Sequence, residues 1–101
     1  MSEFSLNHFV VEARISRVIE VKYSPSGVPI VVLLLNQVSQ QQENGHNRQV
    51  TLNLLSKYLG EKALFWTQQA NKKVRASGFL QTAKLGFKNV VFHITDIELS
   101  K

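Results

Sequence analysis

Cysteine is absent from this chain. Its absence excludes a disulfide framework and any thiolate metal site, and it fits a reducing compartment, so a cytoplasmic location is expected. Histidine is scarce: His8, His46 and His93 stand far apart, with no HExxH-type spacing, so no metal site and no cofactor is expected. The serines around Pro25 lack the GxSxG elbow of a nucleophile, and no glycine pattern for cradling a nucleotide phosphate occurs. With these routes closed, no enzymatic activity is expected. Long apolar runs are missing too. Val28 to Leu35 falls far short of the roughly 20 residues that span a bilayer. The N-terminal stretch carries an early Glu3 and lacks the basic-then-apolar order of a signal peptide. No membrane association is expected.

What is present is a chain of 101 residues, 44% of them hydrophobic. That amount supports a single domain over residues 1–101 with one modest core, of a size often helped by oligomerisation. The formal net charge is +5. Between Lys57 and Lys88, seven basic residues face one acid, Glu61. This balance favours a polyanionic partner, nucleic acid above all. A solvated basic face without a ligand has the same composition, and charge alone leaves both readings open.

Residues 8–22 alternate with a period of two: Phe9, Val11, Ala13, Ile15, Ile19 and Val21 on one side, mostly polar residues on the other. This predicts a long strand with one buried face, bent where Arg17 interrupts that face. Pro25, Gly27 and Pro29 then mark a turn. Val28 to Leu35 reads as a central strand, apolar on both faces, and Asn36 to Glu43 as its polar extension. Asn44-Gly45 is a strong hairpin signal, with the chain returning over Arg48 to Leu54. A strict two-residue turn would set Gln37 against Leu52 and Ser39 against Val50. That mismatch of faces predicts a bulge or a longer loop within residues 38–48.

The period changes over residues 55–70, where Leu55, Tyr58, Leu59, Ala63, Phe65, Trp66 and Ala70 share one helical face. A helix of about four turns is expected there, capped by Ser56. Alternation resumes over Lys73 to Gln81, with Val74, Ala76, Gly78 and Leu80 inward and Phe79 outward. A glycine-containing turn at residues 82–89 leads to a last strand, Val90 to Leu99. Three strands, a helix and two strands is the connectivity of the OB-fold, a mainly β, five-stranded Greek-key barrel.

On such a barrel, single-stranded nucleic acid lies over strands 2 and 3, between the connections joining strands 1–2 and 4–5. Binding needs cations along the phosphates and aromatic faces for the bases. The candidates are Lys22 and Tyr23 at the first connection, His46 and Arg48 at the hairpin tip, and Lys84, Phe87 and Lys88 in the second. They are expected to converge on one surface. Tyr23 and Phe87 also suit closure of the barrel ends, Trp66 suits the core, and Lys72, Lys73 and Arg75 suit a separate basic face or a contact for an acidic partner.

Ser24-Pro25-Ser26-Gly27-Val28-Pro29, the segment from Glu43 to Gln49, Gly78-Phe79-Leu80 and the ending from Val91 to Leu99 together resemble the bacterial primosomal replication protein N (PriB) family. The resemblance covers nearly the whole chain. It implies a homodimeric OB-fold protein that binds single-stranded DNA and assists replication restart with the PriA helicase and the adaptor DnaT. It also implies DNA contacts at Lys22, Lys84 and Lys88. Two positions depart from the family pattern: Val38 stands where well-known members carry an arginine, and Thr51 where they carry a stacking tryptophan. A stacked base is worth about 1–3 kcal/mol, so weaker DNA binding is expected. The alternative is a protein-interaction adaptor with little DNA affinity of its own. A free-standing strand-coating protein is disfavoured, because an acidic tail of the usual kind is not seen after Leu99.

Overall fold

The computed structural model describes residues 2–83 and 89–101. Five strands follow one another: β1 (Phe9–Tyr23), β2 (Pro29–Glu43), β3 (His46–Leu59), β4 (Lys73–Thr82) and β5 (Val90–Leu99). A 3-10 helix, Glu61–Gln68, lies between β3 and β4. The strands close into a barrel in the order β1-β2-β3-β5-β4. Every pairing is antiparallel except β3 with β5, where Ser56 to Tyr58 run alongside Phe92 to Ile94. This is the expected five-stranded OB-type barrel.

The inward positions of all five strands form the core, with Ile15, Val31, Leu33, Val74 and Phe92 fully enclosed. Phe9 meets Phe92 edge to face at 5.2 Å between ring centroids, an orientation that ring quadrupoles favour. The first turn is held as its composition suggests. Gly27 takes φ +89° and donates to Ser24 O at 2.8 Å, and Val28 N donates to Ser24 Oγ at 3.0 Å.

Three expectations need correction. In β1 the alternation survives through Ile15 but not beyond. The register against β2 shifts between Ile15 and Arg17 and again between Val18 and Glu20. Val18 thereby takes the place opposite Leu33, while Ile19 and Val21 remain exposed. One long strand that pairs with β4 over Phe9 to Arg14 and with β2 over Arg14 to Tyr23 has to bend between the two.

The helix over residues 55–70 is also different. β3 continues to Leu59, and Ser56 is a buried strand residue whose Oγ donates to Leu54 O, not a cap. Gly60, at φ +113°, ends the strand, and the 3-10 helix follows with Ala63 and Trp66 buried and Phe65 54% exposed. Barrel closure accounts for this. Only by extending through Ser56, Lys57 and Tyr58 does β3 reach β5, and that pairing overrides a helical period on a short segment.

The hairpin is more regular than expected. β2 and β3 pair without a break from Ile30 opposite Leu59 to Glu43 opposite His46. Asn44 (φ +51°) and Gly45 (φ +78°) make the two-residue turn whose twist matches the strands. Gln37 does face Leu52 and Ser39 does face Val50. The mismatch carries little penalty, because residues 38–49 lie mostly in solvent and most of them have no buried face to satisfy. The hairpin projects beyond the barrel, and the radius of gyration is 14.8 Å against about 13 Å for a compact chain of this length.

Candidate nucleic-acid interface

Lys22 and Tyr23 end β1, opposite Ile30 and Pro29. Tyr23 is 61% exposed, and Lys22 Nζ lies 3.4 Å from Glu20 Oε1, both side chains being half exposed. His46 and Arg48 begin β3 at the far end of the same hairpin, where Arg48 pairs with Glu43. Exposed pairs of this kind contribute little stability, but each puts an acid beside a cation expected to meet phosphate. Lys84, Phe87 and Lys88 lie outside the described residues.

The expected convergence therefore fails for the residues that are described. β3 has 14 residues, which at about 3.3 Å each separates its ends by up to about 40 Å. Tyr23 and His46 mark opposite ends of a long surface. Between them, Val38 faces Thr51 directly across the hairpin, with Val38 57% exposed.

The two basic residues of β4 differ in their surroundings. Arg75 stands between Glu12 of β1 and Glu98 of β5 in the sheet register. Lys73 faces Arg14, whose Nη1 donates to Asn71 O at 2.7 Å.

A further row emerges from the pairings. One row of the register runs across the barrel from Glu20 to Val32, Lys57, His93 and Phe79, each directly opposite the next, with Val32 buried in its middle. The Phe79 and His93 rings are stacked, with centroids 5.0 Å apart and planes within 4°. Burial and the nearby Lys57 ammonium hold the His93 imidazole below its ordinary value of 6.5. Sequence periodicity put Phe79 outward but could not join it to His93 and Lys57. The parallel contact and the bulge at Ser77/Gly78 have no local signature beyond a glycine inside a strand.

Near Phe79, the side chain of Asn7 occupies the place of a strand. Its Nδ2 donates to Leu80 O at 2.8 Å, and its Oδ1 accepts from Leu80 N at 3.1 Å. Among the described residues, no helix is long and apolar enough to cross a membrane.

Comparison with known proteins agrees with this architecture. A family model described as another single-strand binding protein family matches residues 7–96. The replication restart protein PriB of Neisseria meningitidis serogroup B is 34% identical over 68 residues, covering 67% of this chain and 68% of that protein. PriB of Bordetella pertussis is 29% identical over 88% of this chain and 84% of its own. Among solved structures, PriB from Ralstonia solanacearum superposes with a TM-score of 0.82 at 26% identity, covering 96% of this chain and all of that one. The single-stranded DNA binding protein of Thermus aquaticus shares the fold, with a TM-score of 0.74 at 19% identity, covering 95% of this chain and 50% of that one.

Proposed function

The chain belongs to the PriB family of OB-fold replication restart proteins, within the wider single-strand binding family, and from that premise we propose that it binds single-stranded DNA and supports replication restart. In this reading it works without catalysis, in the cytoplasm, as a single domain over residues 1–101. It stimulates or recruits the PriA helicase and the adaptor DnaT. The contacts assigned to DNA are Lys22 and Tyr23, His46 and Arg48, and Lys84, Phe87 and Lys88.

The observation that carries the proposal is the projecting β2–β3 hairpin. It offers an extended polar face with Tyr23 at one end and His46 and Arg48 at the other. A surface tens of ångströms long suits a flexible polymer that is gripped at several points. Titration of labelled oligonucleotides at two salt concentrations, with and without the helicase, tests it. Affinity is expected to fall steeply with salt, log K being roughly linear in log salt. Absence of binding to single strands at low salt would refute it.

A second reading, an adaptor with little DNA affinity, draws support from two features. Lys22 and Arg48 each sit against a carboxylate, and the hairpin positions 38 and 51 carry valine and threonine. It predicts helicase binding that survives charge reversal at Lys84 and Lys88.

The homodimer belongs to the same proposal. Over Phe9 to Ala13, β1 pairs with β4 on one edge, while its other edge has no strand partner among the described residues. Gln37 Nε2 donates to Glu12 O there. An open strand edge is a ready site for pairing with a second chain. A monomer by light scattering at micromolar concentration would count against it.

A further inference from the structure

We propose that the stacked Phe79–His93 pair, with Lys57 beside it, is a base-stacking platform for single-stranded nucleic acid on the outer face of β4, β5 and β3. This deepens the DNA-binding reading and rests on it. It adds a contact surface apart from the projecting arm of the hairpin.

The geometry is that of a preformed site. Phe79 and His93 face each other across antiparallel strands with planes within 4°. Each ring restricts the other, so a base that joins the stack meets rings already ordered, and less conformational entropy is lost on binding. Phe79 nevertheless remains 39% exposed. Beyond Phe9 opposite Gly78 the pairing of β1 with β4 ends, so among the described residues no strand is paired with β4 beside Phe79 on that side. Leu80, the next residue, is held by the Asn7 side chain instead of by a strand.

The chemistry fits the occupant. Stacking on aromatic faces tolerates any base, because every base has a π-face. The His93 imidazole, held below its ordinary value by burial and by Lys57, is neutral at pH 7 and presents an aromatic surface without a hydrated charge. Lys57, directly opposite His93, supplies the cation for a phosphate. Among the described residues it has no ion pair; the nearest acid in its row, Glu20, pairs with Lys22.

The test combines substitution with photochemical mapping. Oligonucleotides carrying 5-iodouracil are irradiated on the wild-type protein, and adducts are located by mass spectrometry. In parallel, affinity for labelled oligothymidylate is measured for wild type, Phe79→Leu, His93→Gln and Lys57→Gln. Phe79→Leu keeps an apolar side chain of similar bulk, and circular dichroism and thermal unfolding verify the fold of each variant.

The expected result is an adduct on Phe79 or His93, with affinity reduced about fivefold or more in Phe79→Leu. Lys57→Gln is expected to lower the slope of log K against log salt by about 0.7, as loss of one phosphate contact does for single strands. If wild type binds, the variants bind equally well and adducts map only elsewhere, the platform is wrong and DNA binding by the chain stands. If wild type binds no single strand at low salt, the DNA-binding reading fails and the platform fails with it.

Discussion

A Cβ built on Gly78 would stand 1.9 Å from the carbonyl oxygen of His93 and 2.9 Å from its carbonyl carbon. The obstacle is backbone, so no side chain can swing aside to relieve it. The approach occurs where the β4–β5 register shifts between Ser77 and Gly78. It sets Phe79 at stacking distance from His93 one residue later. Gly78→Ala is therefore expected to force the two strands apart and to destabilise the chain by about 3 kcal/mol or more. For a domain of this size that lowers the melting temperature by about 10 °C or more in a thermal scan. An unchanged melting temperature would show that the bulge can shift without penalty.

His93 makes stability depend on pH in a known direction. Its folded-state value lies below the ordinary 6.5 because burial and Lys57 both disfavour the imidazolium. The unfolded chain thus takes up the proton more readily. The stabilisation is complete above pH 6.5 and is lost as pH falls through the folded-state value. Melting temperatures of wild type are expected to drop between pH 7 and pH 5 more than those of His93→Gln. Equal drops in the two proteins would remove His93 from the account.

Val38 and Thr51 are direct cross-strand partners on the exposed hairpin, so they can be exchanged as a unit. The double variant Val38→Arg with Thr51→Trp is expected to raise affinity for oligothymidylate by about fivefold or more, the effect of one added stacking surface. Its melting temperature should stay close to wild type, since exposed substitutions shift stability by about 0.5 kcal/mol or less. Equal affinity would mean that DNA does not pass over this part of the hairpin.

Asn7 offers a local test. Its amide replaces a strand partner for both backbone groups of Leu80, and such bonds contribute about 1 kcal/mol each. Asn7→Ala should speed hydrogen exchange at the Leu80 amide while leaving amides near Val74 unaffected. Unchanged exchange at Leu80 would show the clamp to be idle in solution.

Much of the barrel was legible in the residues because two-fold alternation reports burial directly. Phe9 to Ile15 and Val74 to Leu80 follow it. The failures share a cause. Ile19, Ser56 and the Val38–Thr51 register depend on how a strand is shared, extended or released by partners distant in sequence, which periodicity in a short window does not contain. The candidate site was legible as chemistry and not as placement. Tyr23 and His46 are exposed residues beside turns, yet they occupy opposite ends of one hairpin. The Phe79–His93–Lys57 row escaped because it is assembled from three strands, one of them joined in parallel.

The hairpin beyond Leu35 and Leu54 has a consequence for how this protein can vary. Its register is set by the Asn44-Gly45 turn and by main-chain pairing, with little enclosed surface at stake. Adding or removing two residues on each strand, which keeps the alternating hydrogen-bond pattern, would lengthen or shorten the arm in steps of about 7 Å while the barrel stays as it is. Side chains along the arm can likewise drift with little effect on folding. The chain thus divides into a part where sequence is constrained by assembly and a part where it is constrained only by what the arm touches. Affinity can be retuned in the second without renegotiating the first.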